Sequence, residues 1–325
     1  MSFADRLWTA IRAKQTPAIV GLDPRAELLP PALLDRYLAS HGASLRAVAL
    51  AYEEFCSRLL DVVAALVPAV KVQVAFFEAL GPAGAAALSQ TLRKARRLGL
   101  LVIADAKRGD IGATAEAYAQ GWLTGSPVAG RPLSVWDADA LTVHPYLGMV
   151  SLEPFLKAVA GAAAASEAGR GVFVLVRTSN PGARQFQDIG EQDAPLYLRV
   201  AQAVEQLNAG ALGQCGYGPV GAVVGATHAD EIRRLRPVVP HTLFLVPGYG
   251  AQGGRAVDLA AAFDPRGFGA LVSNSRGIIF AYREPRLRDA YPPERWEDVV
   301  AQAALEMIED LAKHTPAGHL RQSRS

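Results

Sequence analysis

Short apolar runs recur along the chain, and segments with helical periodicity separate most of them. Residues 171–177 (GVFVLVR) form a typical run, too short for a buried helix and bounded by turn residues, which predicts a buried parallel strand. Eight such runs lie at 17–25, 69–76, 100–107, 140–145, 171–177, 219–225, 241–246 and 269–273. Helical patterns lie at 2–14, 45–66, 82–98, from about 112, at 151–165, 193–208, 228–235, shortly after 276, and at 294–313.

Eight alternating strand and helix units in one chain of this length predict an α/β fold, a single (β/α)₈ TIM barrel. A doubly wound open sheet is the alternative, but its Gly-x-Gly-x-x-Gly fingerprint is absent after the first run. We expect one domain over residues 1–325, with irregular insertions near 121–139 and 183–218 and a frayed tail from about residue 315.

Composition limits the classes of partner. The 325 residues are 50% hydrophobic with a net charge of +2, so the chain has no broad field for nucleic acid or anionic lipid. Cys56 and Cys215 have neither metal-ligand nor disulfide spacing, which favours a reducing compartment. The first residues lack the apolar stretch of a secretory signal, and Asp61, Lys71 and Glu78 interrupt the longest apolar run. We therefore expect a cytoplasmic protein without nucleic-acid or membrane partners.

Ionisable residues gather at the end of the third predicted strand. Asp105 and Lys107 are two positions apart, so strand alternation predicts that they point to one side, and Asp110 follows beyond a glycine. Lys71 lies inside the second apolar run. Buried charges are costly unless they are paired. The pattern fits either a structural ion-paired cluster, with Lys71 snorkelling to solvent, or a chemical site.

Other polar residues follow the strands at the same predicted rim. They are Asp23 after the first strand, Ser179 after the fifth, Gln252 after the seventh and Arg276 after the eighth. Loops after the strands build the active sites of such barrels, whereas structural ion pairs have no reason to prefer one rim. This distribution favours a functional site.

The last two loops predict a phosphate site. The segment 247–254, which begins at Pro247 and contains Gln252, supplies glycines that let backbone amides approach an anion. Arg276, before a short helix, adds a forked donor at a helix N-terminus. Loops after strands seven and eight are the usual phosphate site of this fold.

The remaining candidate residues favour structural roles. We interpret His144, which precedes a proline, as a satisfied strand-end histidine rather than a base. No two histidines have metal-ligand spacing with a carboxylate nearby, so a zinc site is not expected. Neither a Gly-x-Ser-x-Gly motif nor a cysteine nucleophile context is present.

Taken in order, these motifs resemble those of the orotidine 5′-phosphate decarboxylases in their longer bacterial form. The resemblance covers residues 15–285. It rests on Asp23, Lys71, Asp105-x-Lys107-x-x-Asp110 followed by Ile111 and Thr114, the turn around Ser179, the segment 247–254, and Ser-Arg276-Gly. Asn274 and Ser275 depart from compact members of the family, which tend to have glycine there.

The resemblance implies decarboxylation of orotidine 5′-phosphate to UMP and CO₂, the last step of de novo pyrimidine nucleotide synthesis, without metal or cofactor. It implies a homodimer with shared active sites, in which Lys107 protonates C6 and Asp105 faces the departing carboxylate. The remaining implied roles are ribose contacts and the charge network for Asp23 and Lys71, contacts in the neighbouring subunit's site for Asp110 and Thr114, pyrimidine binding for Ser179, and phosphate binding for Gln252, Arg276 and amides of the loop beginning at Pro247.

Two other functions remain open. One is a magnesium-dependent sugar-phosphate decarboxylase or aldolase of the same superfamily, which shares Asp-x-Lys-x-x-Asp but typically carries glutamate on the second strand, where this chain has Lys71. The other is a non-catalytic nucleotide-sensing barrel, which the intact array of charges disfavours.

Overall fold

Eight parallel strands close into a barrel, as the apolar runs predict. The structure, a computed structural model, describes residues 1–164, 168–227, 229–250, 253–288 and 291–322. Each strand pairs with the next along the chain, and the eighth pairs with the first. The strands are β1 Ala18–Leu22, β2 Ala69–Gln73, β3 Leu101–Arg108, β4 Ala140–Val143, β5 Gly171–Arg177, β6 Val220–Val224, β7 Phe244–Pro247 and β8 Ala270–Asn274.

Helices surround the barrel. They are α1 Phe3–Lys14, α2 Pro31–His41, α3 Leu45–Val63, α4 Val74–Glu78, α5 Gly81–Arg97, α6 Gly112–Ala119, α7 Glu153–Ala164, α8 Arg184–Gln187, α9 Leu196–Leu207, α10 Ala229–Leu235, α11 Arg276–Ile279, α12 Pro285–Arg288 and α13 Trp296–His314. The sequence pattern missed α2, whose only buried residue is Leu33, because so few apolar positions leave no stripe to recognise. Within the described residues, no helix is long and apolar enough to cross a membrane.

Helix α1 closes one end of the barrel. Ser2 caps it by accepting a hydrogen bond from the amide of Asp5, and its buried face includes Phe3, Leu7 and Ile11. The ring of Phe3 packs edge-on against Phe173 of β5, with ring centroids 6.1 Å apart. These side chains belong to the core cluster inside the barrel, so the interior is accessible from the opposite end, where the strands finish.

Along β2 and β3, the inward positions change from apolar to polar toward the open end. In β3, Leu101 and Ile103 belong to the inner core, and Asp105 follows two residues later. In β2, Ala69 belongs to the same core and is followed by Lys71 at the next inward position. Because side chains alternate along a strand, the inward positions of each strand run from apolar core residues to charged residues at the open end of the barrel.

The two insertions and the C-terminal segment are structured where they are described. The first insertion forms a π-helical turn, Gln120–Thr124, and a hairpin, and Trp122 stacks on Trp136 with centroids 5.1 Å apart. The second contains α8, a short hairpin and α9. We expected a frayed tail from about residue 315, but Pro316–Arg321 form a 3₁₀ helix whose Ala317 and Leu320 are buried.

Candidate active site

A cavity of about 1120 Å³ opens at the carboxyl ends of the strands. Seven of the predicted site residues line it: Asp23, Lys71, Asp105, Lys107, Ser179, Pro247 and Arg276. Gln252 lies outside the described residues. Asp110 and Thr114 are absent from the lining and lie on the adjacent outer surface.

Asp105 is the centre of the polar network. Its Oδ2 accepts hydrogen bonds from Lys71 Nζ at 2.7 Å and Gln73 Nε2 at 3.0 Å. Its Oδ1 accepts from Lys107 Nζ at 2.7 Å and Thr142 Oγ1 at 2.9 Å. The residue is only 7% exposed, so these four donors compensate a carboxylate that is almost entirely removed from water.

The electrostatics of this network keep Asp105 and Lys71 charged. Burial alone would raise the pKa of Asp105, but the ammonium groups of Lys71 and Lys107 lower that pKa well below its ordinary value. Burial alone would lower the pKa of Lys71, but the carboxylates of Asp105 and Asp23 raise it above its ordinary value. The mouth of the barrel thus holds an alternating array of fixed charges.

Lys107 reaches this array through an irregularity in β3. Ala104 pairs with Leu141 and Arg108 with Val143, so three residues of β3 face the single residue Thr142 of β4. Lys107 itself has a left-handed backbone, with φ of 49°. Simple alternation predicted the correct side for Lys107 but not the extra residues that bring it there.

Thr142 fixes the irregular segment. Its hydroxyl accepts a hydrogen bond from the backbone amide of Lys107 at 2.9 Å and donates one to Asp105 Oδ1 at 2.9 Å. Our sequence reasoning missed Thr142, because a threonine in an apolar strand has no distinctive signal. It also missed Gln73, although that residue lies two positions after Lys71 and the period of two could have identified it.

Besides Nδ1 of His144, which is described below, two polar atoms of the cavity wall are buried without a hydrogen-bond partner among the described residues. They are Oδ1 of Asp23, which lies 4.0 Å from Lys71 Nζ, and Oγ of Ser273 in β8. Buried polar groups are nearly always satisfied, so each calls for a partner. Both residues line the cavity, where polar groups of a ligand could supply that partner.

In the loop after β7, several of the backbone amides that we expected to approach an anion already donate hydrogen bonds. Gly248 and Gly250 have φ of 95° and 70°, which only glycine adopts readily. The amides of Gly250, Gly253 and Gly254, however, donate to carbonyls within the loop. After β8, the amide of Gly277 donates to Asn274 Oδ1 at 3.2 Å.

Arg276 remains available at this side of the cavity. It is exposed, lines the cavity and begins α11. In the described part of this side, the four amides named above already donate hydrogen bonds, and the guanidinium of Arg276 supplies charged donors for an anion.

His144 differs from the prediction of a satisfied histidine. It lines the cavity, but its Nδ1 is buried without a hydrogen-bond partner among the described residues. The ring packs closely against Gly109, where an added Cβ would lie 2.3 Å from Nε2.

No group of three or more histidine, cysteine, aspartate or glutamate side chains in the described part of the chain is placed to hold a metal ion.

Comparisons with known proteins agree with this geometry. A sequence model of the orotidine 5′-phosphate decarboxylase / HUMPS family matches residues 16–286. The orotidine 5′-phosphate decarboxylase of Rhodopirellula baltica is 47% identical over 311 residues, covering 96% of this chain and 99% of the relative. That of Deinococcus radiodurans is 42% identical, covering 86% and 90%. The solved structure of Leishmania donovani OMP decarboxylase aligns with a TM-score of 0.70 and 33% identity, covering 96% of this chain and 98% of that one.

Proposed function

The chain belongs to the orotidine 5′-phosphate decarboxylase / HUMPS family, and we propose that it converts orotidine 5′-phosphate into UMP and CO₂. The observation that carries this proposal is the array in which Lys71 and Lys107 both bond Asp105 at the mouth of the barrel. We propose that this array performs the reaction without help from a metal ion or coenzyme.

The reaction requires stabilisation of a localised negative charge. Loss of CO₂ from C6 of the orotate ring leaves an electron pair in the ring plane, where the π system cannot delocalise it. An ammonium group about 4 Å away contributes on the order of 4 kcal/mol at an effective dielectric near 20. Lys107 carries that charge, and it then donates a proton to C6, so the C–C bond to the carboxylate is replaced by a C–H bond.

Asp105 performs two tasks in this scheme. Its carboxylate orients the ammonium of Lys107 through the 2.7 Å hydrogen bond. The same negative charge faces the carboxylate of the substrate, and the repulsion disappears as neutral CO₂ departs. Lys71 keeps Asp105 ionised during the reaction, because its buried ammonium bonds the other carboxylate oxygen.

The rest of the cavity suits a nucleotide. The unsatisfied Oδ1 of Asp23 would accept a ribose hydroxyl near Lys71. Ser179 would bind the pyrimidine from the end of β5, and Arg276 would bind the phosphate, together with Gln252 and the loop beginning at Pro247. The phosphate lies away from the reacting carbon, and its binding energy can hold the closed site together. In this way it lowers the barrier to decarboxylation at C6.

We also propose a homodimer in which each subunit completes the other's site. Asp110 and Thr114 lie outside the cavity of their own chain, and Thr114 is exposed. The nearby segment 111–150 exposes several large apolar side chains: Ile111, Val128, Leu133, Val135, Tyr146, Leu147 and Val150. Such a surface fits a second copy of the chain, which would bring Asp110 and Thr114 to the neighbouring ribose.

A cytoplasmic location completes the proposal. Both cysteines, Cys56 and Cys215, are buried free thiols. Thiols that persist unpaired fit a reducing compartment, and we therefore propose the cytoplasm.

An ultraviolet assay tests the proposed reaction. Decarboxylation changes the absorbance of the pyrimidine, so consumption of orotidine 5′-phosphate can be followed directly, with EDTA present and absent. We expect equal turnover under both conditions. Turnover that EDTA abolishes would favour the magnesium-dependent sugar-phosphate enzymes, and nucleotide binding without any turnover would favour a sensing barrel.

A further inference from the structure

We propose that Gln187 is a positioning residue for pyrimidine recognition, and that the insertion near 183–218 exists partly to hold it there. The proposal rests on the proposed function, since it concerns how the turn that carries Ser179 is fixed in the cavity. Gln187 is the last residue of α8, and it lines the cavity together with Ser179.

Gln187 bonds the residue directly before Ser179 at two points. Its Oε1 accepts a hydrogen bond from the backbone amide of Thr178 at 3.0 Å. Its Nε2 donates to the hydroxyl of Thr178 at 2.7 Å. One side chain therefore fixes both the backbone and the rotamer of Thr178.

The restraint continues to the residue after Ser179. The Thr178 hydroxyl, having accepted from Gln187, donates to Oδ1 of Asn180 at 2.7 Å. Consecutive hydrogen bonds of this kind polarise and strengthen one another. Ser179 thus lies between two residues that a single chain of hydrogen bonds connects to Gln187.

An ion pair of the buried Arg177 anchors the end of α8 to the barrel. Arg177, the last residue of β5, is 1% exposed, and its Nη1 donates to Asp188 Oδ1 at 2.6 Å, one residue beyond Gln187. Its Nη2 donates to Glu231 of α10 at 3.1 Å, and its guanidinium lies over the ring of Tyr197, 5.0 Å from the centroid. The segment that carries Gln187 is consequently tied to rigid elements rather than free at the surface.

The opposite side of the turn is closed by Gly225, just after β6. A Cβ atom there would lie 2.9 Å from the Cβ of Ser179 and 3.1 Å from its Cα. The amide of Gly225 also donates to the carbonyl of Arg177 at 2.8 Å. Ser179 is therefore confined between β6 on one side and the network of Gln187 on the other.

Inhibition by the product UMP and by its fragment ribose 5-phosphate separates this role from a general structural one. UMP contains the pyrimidine, whereas ribose 5-phosphate presents only the sugar and the phosphate. In Gln187→Ala, we expect the inhibition constant for UMP to rise and kcat/KM to fall, each on the order of 10- to 100-fold. This is the scale expected when a binding group shifts by about 1 Å. Inhibition by ribose 5-phosphate should stay as in the parent protein.

Two variants accompany this measurement. Gln202→Ala, at an exposed position of α9, is the matched control and should behave as the parent. Gln187→Glu retains an acceptor for the amide of Thr178 but loses the donor to its hydroxyl, so it should keep part of the UMP affinity that Gln187→Ala loses.

Equal inhibition constants for UMP in Gln187→Ala and Gln202→Ala would overturn the inference. An equal loss of affinity for UMP and for ribose 5-phosphate in Gln187→Ala would overturn it as well. If Gln187→Ala does not fold, Gln187→Glu carries the test alone, because it removes the donor to the Thr178 hydroxyl. A UMP inhibition constant that rises while that for ribose 5-phosphate stays unchanged supports the inference, and a UMP constant equal to that of the parent overturns it. The proposed function fails separately, because it fails only if the parent protein does not decarboxylate orotidine 5′-phosphate.

Discussion

The ammonium nitrogen of Lys107 lies 2.7 Å from Oδ1 of Asp105. The backbone of Lys107 is left-handed, with φ of 49°. A non-glycine residue in this region costs on the order of 1–3 kcal/mol, and such residues cluster where surrounding structure fixes them for function. Here the surrounding structure is Thr142, which bonds both the amide of Lys107 and the carboxylate of Asp105. The strain and its compensation lie at the atoms that we assign to the chemistry.

The lowered pKa of Asp105 predicts how stability depends on acid. Because the folded pKa lies below the unfolded one, the stabilisation is complete above the unfolded pKa, about 3.9, and is lost as pH falls through the folded value. The difference in unfolding free energy between the parent and Asp105→Asn should therefore shrink by roughly 1 kcal/mol between pH 6 and pH 3. Urea denaturation at the two pH values measures it, and a difference that stays constant would contradict the assigned charge state.

The shared site predicts complementation between two inactive variants. Asp110→Ala and Lys107→Ala subunits, mixed in equal amounts and allowed to exchange, should form heterodimers in which one of the two sites has both residues. Random pairing makes half of the dimers mixed, so about one quarter of the parent activity should return.

The same mixing experiment has an internal control. Each variant alone should remain inactive after the exchange procedure, which shows that recovery needs both chains. Failure to recover activity, when exchange of subunits has been demonstrated by a tagged chain, would show that Asp110 acts within its own subunit or not at all.

Arg276 should contribute affinity for the phosphate rather than for the base. Hydrogen bonds to charged groups contribute about 1.5–3 kcal/mol, so Arg276→Ala should weaken UMP inhibition roughly 10- to 100-fold. Inhibition by uridine, which lacks the phosphate, should not change, and Arg93→Ala on the exposed face of α5 is the matched control. Equal losses for UMP and uridine would place Arg276 elsewhere in the site.

The sequence pattern predicted the parts of this molecule that follow simple periods. Apolar runs located the strands, and the period of two brought Lys71 and Asp105 to the same mouth of the barrel. The irregular pairing of β3 with β4 was not predictable, because it depends on a hydrogen bond between Lys107 and Thr142 of another strand. Long-range contacts of this kind leave no local signal.

The phosphate loop shows a similar limit. The glycines between Pro247 and Gly254 predicted a loop whose amides approach an anion, and the structure gives Gly248 and Gly250 a left-handed backbone. Composition could not reveal that the amides of Gly250 and Gly253 bond within the loop itself. The role of Gln187 was equally hidden, since its partner Thr178 lies nine residues away across an irregular insertion.

The most direct test of the central claim is the turnover of Lys107→Ala, measured together with its affinity for UMP. Because Lys107 both stabilises the C6 carbanion and supplies its proton, the variant should lose at least about 10⁴-fold in kcat. It should still bind UMP within about tenfold of the parent, since phosphate and ribose contacts remain. The matched control is Lys157→Ala on the exposed surface of α7, which should behave as the parent. Near-parent turnover of Lys107→Ala would contradict the account.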